Sequence, residues 1–320
     1  MMLTMWKRRA LTLPMVFIGL SLGIALYLPV LLLCLVLSVH RGLRTLPQAW
    51  TFVVGYLLFE AMGVLRLGWV WVRYRNHPQW ILQNRLVQIW WACGLLAMGA
   101  KIFRLQFEVT GEDALTGPSA ILMVRHASLG DTVLPLRFFS RPRDNEGIRY
   151  IIKKELRISP SLDIGAHRLS TVFIDRSGVD TQAELQRVAD MTATAPQDES
   201  LMIYPEGTRV TTSKRQQIYD KYPNLHEQLA RWPDLLPPRL GGVTTLLTHN
   251  PGKDVVFMAH SGFEGMANLK ELLAGSGSNQ TVRIHLWRIP YQEIPEDFQA
   301  FVFTQWDTMQ DVVHHHHELS

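Results

Sequence analysis

His126 and Asp131, in the stretch Val124-Arg125-His126-Ala127-Ser128-Leu129-Gly130-Asp131, are the pair in this chain best suited to moving a proton. A neutral imidazole takes a proton from an alcohol, and a carboxylate holds the ring in the tautomer that does so. The pair closes an apolar run at residues 120–124, which reads as a strand ending in a strand-to-helix turn. A second apolar run, 201–204, ends in Pro205-Glu206-Gly207-Thr208-Arg209. A third ends in Asp175-Arg176, after Phe173-Ile174. Arg176 and Arg209 thus stand just beyond strand ends, where two guanidinium groups suit a phosphate through bidentate hydrogen bonds. Gly207 suits a tight turn or a close approach of substrate to the backbone.

Each pattern alone has a plainer reading. A histidine at a strand end is commonly a satisfied capping or core residue, and loop carboxylates and arginines are commonly solvated surface charges. The concurrence of the three segments is what favours chemistry. Other chemistries lack their residues. No Gly-x-Ser-x-Gly elbow serves Ser128, and neither a P-loop nor Gly-x-Gly-x-x-Gly is present. Zinc spacings such as His-Glu-x-x-His are missing outside the terminal histidines. The expectation is a site with no metal and no cofactor.

The elements that must position these residues alternate. Short β-like runs fall at 119–124, 149–152, 171–174, 201–204, 255–260 and 281–287, with helix-like segments at 132–139 and 180–194. Residues 102–109 also alternate as a half-buried strand. Such alternation predicts an α/β domain with a largely parallel sheet flanked by helices. Ser177 or Asp180 is placed to cap the helix after Arg176. The polar stretch 211–232 is expected outside the sheet and helical at its start.

The first hundred residues differ in kind. Residues 11–39 are almost uncharged, and 49–72 form a second apolar segment with tryptophans near both ends. Both are long enough to cross a bilayer, although Glu60 and Arg66 are costly there unless they pair or the segment lies in the interface. Two crossings would put both flanks on one side, and the positive-inside bias would place the globular domain in the cytoplasm. Residues 86–100 read equally as an interfacial helix or as a core helix of the domain. The division expected is therefore 1–100 transmembrane or interfacial helices, 101–313 an α/β domain, and 314–320 a histidine-rich tail resembling an affinity tag.

A net charge of +4 fits a protein working beside anionic lipid and is too small to argue for nucleic acid, for which no motif exists either. Cys34 and Cys93 both lie in apolar stretches, as buried thiols do.

The chain resembles the glycerolipid acyltransferase family, which includes 1-acylglycerol-3-phosphate acyltransferases. His126 and Asp131 match its H-x4-D motif, Phe173-Ile174-Asp175-Arg176 its second and Pro205-Glu206-Gly207-Thr208-Arg209 its third. Leu236-Pro237-Pro238-Arg239-Leu240-Gly241-Gly242 is similar to the fourth, in the form of the lysocardiolipin and lysophospholipid branch. The resemblance implies acyl transfer from acyl-CoA or acyl carrier protein to the hydroxyl of lysophosphatidate. Remodelling of another lysophospholipid, transacylation, or a non-catalytic lipid-binding role are the alternatives. It implies His126 as base, Asp131 as its orienting group, and Arg176 and Arg209 on the acceptor phosphate. Glu206, Gly207 and Thr208 would shape the glycerol pocket, with Pro238 and Arg239 aiding the acyl or acceptor site. Membrane lipids are the implied partners. Arg125 stands where the family usually has asparagine, and two uses are open to it: binding an anionic substrate or pairing locally.

Overall fold

The computed structural model describes residues 2–128, 130–139, 146–175 and 181–319. Four helices lead the chain: α1 (Met2–Ala25), α2 (Tyr27–Leu37), α3 (Leu46–Tyr74) and α4 (Trp80–Phe103). The apolar segment 11–39 is broken between α1 and α2 at Leu26, and Pro29 sits in the first turn of α2, where a missing N–H costs little. By length and composition, three helical stretches (Met5–Ala25, Arg41–Tyr74 and Trp80–Phe103) are apolar enough to cross a membrane.

Seven strands follow: β1 (Gln106–Thr110), β2 (Ile121–Val124), β3 (Gly147–Lys153), β4 (Val172–Ile174), β5 (Glu199–Ile203), β6 (Val255–Ser261) and β7 (Thr281–Ile289). They form one sheet in the order β1-β7-β6-β2-β5-β3-β4. Among the described residues only β6 and β7 pair antiparallel, so β2, β3, β4, β5 and β6 all run one way and end at one edge. The largely parallel sheet expected from the alternation is present. Between and after the strands lie α5 (Leu134–Phe139), α6 (Pro160–Arg168), α7 (Thr181–Ala193), α8 (Thr212–Lys221), α9 (His226–Arg231), α10 (Leu240–Thr248), α11 (Leu269–Ala274) and α12 (Phe298–Glu318).

The central strands are buried on both faces, and the period of two divides their side chains between two cores. Ile121 and Met123 face one core with Phe257, Val243 of α10 and Trp306 of α12. Leu122 and Val124 face the other with Met258, Leu134 of α5 and Ala92 of α4. Helix α4 packs one face against the α/β body through Ala92, as both readings of residues 86–100 require.

Two sequence expectations are corrected here. The strand at 102–109 is in fact the end of α4 followed by β1: Arg104 adopts a left-handed φ of 57° and closes the helix before the strand begins. The alternation of Phe103, Leu105, Phe107 and Val109 runs across the boundary between helix and strand, and the cap settles where it lies. The histidine run is also no loose tail. His314 to His317 form the last turns of α12, with His316 buried.

Helix α3 lies along the α/β body. At its start the N–H of Thr45 donates to the Leu273 carbonyl of α11 at 3.1 Å, and its hydroxyl to that of Leu272. Near its middle the fully buried Glu60 accepts from the hydroxyls of Ser159 and Ser161, both at 2.8 Å, at the start of α6. Further on, Arg168 donates to the Leu67 carbonyl at 2.9 Å. Glu60 and Arg66 do not pair with each other; Arg66 stacks 3.8 Å over Trp90. Helix α1 is tied down too, since Arg8 and Arg9 both pair with Asp163 of α6 at 2.6 and 2.7 Å. Glu60→Ala leaves two buried hydroxyls without their acceptor, and we expect a stability loss of about 1–3 kcal/mol. Thermal unfolding in detergent measures it, and an unchanged midpoint would show that this contact does not hold α3 to α6.

Candidate functional site

The parallel register brings the charged turns to one level. Val124 pairs with Met258, and Met123 with Ile203. Continued past the strand ends, that register sets His126, Glu206 and His260 side by side at the carboxyl edge of the sheet, where open α/β sheets bind ligands.

The turn after β2 wraps around a carboxylate. Asp131 is fully buried; its Oδ1 lies 3.0 Å from His126 Nδ1, and its Oδ2 accepts the N–H groups of Ala127 at 2.6 Å and Ser128 at 2.7 Å. Burial alone would push its pKa up. His126, His260 and the Ser128 N–H outweigh that and hold it below the usual carboxylate range. An ionised Asp131 is acceptor-only, so His126 Nδ1 must carry the proton and the lone pair falls on Nε2. The His126 side chain is 15% exposed, enough for a substrate to reach the ring.

A second carboxylate fixes the backbone. Glu206, also buried, accepts the His126 N–H at 2.5 Å and the Leu236 N–H at 3.1 Å. It thereby joins the turn after β2 to the Leu236-Pro237-Pro238 segment. The Val210 N–H returns to the His126 carbonyl at 2.9 Å. The Tyr204 ring stacks on His126 with centroids 4.3 Å apart, and its hydroxyl donates to the Asp131 carbonyl at 3.2 Å. Burial and the nearby Asp131 keep that phenol protonated.

Gly207 has φ of +68°, so the tight turn is what requires glycine, and the exposed Arg239 side chain lies across it, 2.7 Å from where a Cβ would stand. Pro238 is buried, and the exposed Arg239 anchors its own backbone N–H to the Pro205 carbonyl at 2.8 Å. Thr208 and Arg209 are half-buried in the turn after β5, and Arg209 donates through Nη1 to the Ala267 carbonyl at 2.7 Å. The structure therefore gathers His126, Asp131, Glu206 and Gly207 into one hydrogen-bonded unit, with Thr208, Arg209, Pro238 and Arg239 beside it. Arg176, like Ser177 and Asp180, lies outside the described residues.

Arg125 is not a substrate group. It is 1% exposed and pairs with Glu264, so of its two open uses the local one is realised. Tyr204 and His260 are site residues that the sequence reading passed over. Tyr204 was visible as the last apolar residue before Pro205. His260 carries no local signal, because only the pairing of β2 with β6 brings it near Asp131.

Burial pushes the Glu206 carboxyl up from its ordinary value near 4.5 to about 7, against the pull of Arg125 and the two N–H donors. Between those values the folded state holds a proton that the unfolded chain has released. Stability from this group is therefore full below about pH 4.5 and is lost as pH rises through about 7, a change on the order of 3 kcal/mol. Glu206→Gln cannot titrate, so we expect its unfolding midpoint to lose that slope between pH 4.5 and 7. Parallel pH dependence in the two proteins would contradict the assignment.

Comparison with known proteins places this geometry. A family model described as Acyltransferase matches residues 106–261, which hold β1 through β6 and the whole site. Lysocardiolipin acyltransferase 1 of Mus musculus is 21% identical over 241 residues; the match covers 73% of this chain, which spans 63% of the relative's length. The crystal structure of the 1-acyl-sn-glycerophosphate (LPA) acyltransferase, PlsC, from Thermotoga maritima has the same fold. It aligns with a TM-score of 0.56 at 14% identity, covering 86% of this chain and 97% of that one.

Proposed function

The chain belongs to the glycerolipid acyltransferase family, and from that premise we propose that it moves a fatty acyl group from a thioester to the free hydroxyl of lysophosphatidate. The observation that carries this reading is the Asp131–His126 pair, whose buried carboxylate leaves Nε2 as the basic nitrogen at the open edge of the sheet. Nε2 takes the acceptor's hydroxyl proton while that oxygen bonds to the thioester carbonyl carbon. The carbon–sulfur bond then breaks, and the leaving sulfur takes the proton from the imidazolium, which returns His126 to its neutral form. Asp131 keeps the ring aligned and stabilises its cation. Acyl-CoA or acyl carrier protein is the donor, and neither metal nor cofactor takes part.

Arg209 and Arg176 are assigned to the acceptor phosphate. Arg209 has one donor fixed on Ala267 and further N–H groups to offer. Glu206 and Gly207 shape the floor by holding the turns, Thr208 borders it, and Pro238 and Arg239 close its rim.

Both substrates are lipids or carry lipid chains, and the helical layer supplies a surface for them. Phe17, Ile18, Leu22, Leu32, Leu33 and Val36 face outward from α1 and α2. From Thr45 to Leu67 is roughly 33 Å of helix, comparable to a bilayer core. Both positions are hydrogen-bonded to the α/β body. A crossing α3 would carry part of that body through the membrane, so we read α3 as lying flat with its outer face in one leaflet. With α3 flat, counts of basic residues no longer assign a side of the membrane.

The test is a panel of lysolipids with labelled acyl-CoA and the purified protein in lipid vesicles. We expect ester formation on lysophosphatidate. Product on lysolipids with full headgroups, and none on lysophosphatidate, would replace this reading with a remodelling enzyme. No transfer to any of them would leave a lipid-binding protein.

A further inference from the structure

We propose that Arg125 is a positioning residue: its buried guanidinium clasps the end of β6 to the turn that carries His126 and so holds the base in its working geometry. This rests on the reading of His126 as the base.

Arg125 is the residue between the last position of β2 and His126. Its N–H donates to the Met258 carbonyl at 3.1 Å. Beyond that the exchange is reciprocal. Arg125 Nη1 donates to the His260 carbonyl at 2.5 Å, while His260 Nε2 donates to the Arg125 carbonyl at 2.8 Å. The same Nε2 stands 3.5 Å from Asp131 Oδ2. Nη2 donates to the Asp234 carbonyl at 3.1 Å, and Nη1 also meets the carboxylate of Glu264, whose other oxygen accepts the Gly262 N–H at 2.7 Å. A charge this deep is tolerated only when paired, and the two terminal nitrogens of the arginine fork are engaged in several directions at once, while the buried Nε has no hydrogen-bond partner. On its far side the peptide after Arg125 is held by Glu206 through the His126 N–H. The backbone at 125–126 is thus pinned from β6 on one side and from the turn after β5 on the other. The clasp also reaches α12, since His317 lies 3.4 Å from Glu264 and 3.2 Å from Asp234.

Arg125 touches no open surface, so its loss should reach catalysis only through His126. Misplacing a reacting group by about 1 Å costs on the order of 10²-fold in rate. For Arg125→Met, which keeps the bulk, we expect kcat to fall by about 10²-fold with both KM values within about threefold. Arg125→Lys retains the charge but not the fork, and should recover about tenfold of that loss. Glu264→Gln changes a half-exposed side chain, and should cost about tenfold in kcat without unfolding the protein. In a nitrogen-15 imidazole spectrum, His126 should carry its proton on Nδ1 in the unaltered protein and lose that single tautomer in Arg125→Met. A folded Arg125→Met protein with kcat within threefold of the starting protein, or a loss confined to KM, would overturn the clasp. If Arg125→Met does not fold, an unchanged kcat in Glu264→Gln overturns it. His126→Ala is measured alongside. Full turnover in that variant would sink the reaction reading, and the tautomer in Arg125→Met would still decide the clasp.

Discussion

Replacing His126 with alanine should lower kcat by on the order of 10²- to 10⁴-fold, the range a positioned general base contributes. The protein should stay folded. The ring is partly exposed, and its stacking on Tyr204 is worth about 1 kcal/mol. The backbone contacts of His126, its N–H to Glu206 and its carbonyl to Val210, do not depend on the side chain. KM for both substrates should move little, because the imidazole contributes chiefly in the transition state. Steady-state kinetics and a thermal melt on one preparation suffice. Unaltered turnover, or loss of activity only through unfolding, would refute the role.

Asp131→Asn should do nearly as much damage by a different route. The N–H groups of Ala127 and Ser128 both point at Oδ2, so the single amide oxygen of asparagine is drawn there. Its NH₂ then faces His126 Nδ1, which can no longer donate and must accept. The ring proton moves to Nε2, and the nitrogen that should take the hydroxyl proton already holds one. An inverted tautomer of this kind costs on the order of 10⁴-fold. The variant should fold, because both N–H groups keep an acceptor. The double variant with His126→Ala should be no slower than the worse single one, since the two side chains act as one unit. Additive losses would mean that Asp131 acts elsewhere.

Much of this site could be read in the sequence because its pieces lie at strand ends. Apolar runs that stop at charge marked β2, β4 and β5, and the alternation with helices implied that those ends share an edge. What could not be read depends on pairing across the sheet. His260 meets Asp131 only because β6 lies beside β2, and Arg125 finds Glu264 only through the turn that follows β6. Periodicity also misled at residues 102–109, where alternation suited strand and helix end alike until the left-handed Arg104 divided them. In the helical layer, composition marked helices that the structure does make long and apolar enough to cross a membrane. Glu60 looked costly in lipid, yet it is buried against two serines of α6, a contact some hundred residues away in sequence.

Direct transfer, with His126 acting on the acceptor hydroxyl, leaves no acyl group on the protein at any step. Release of CoA measured with donor alone, and then with lysophosphatidate added, tests it most directly. Direct transfer gives no release above background with donor alone, and one CoA for each lipid ester once the acceptor is present. A burst of CoA equal to the protein concentration without acceptor would reveal an acyl-enzyme and rule out direct transfer.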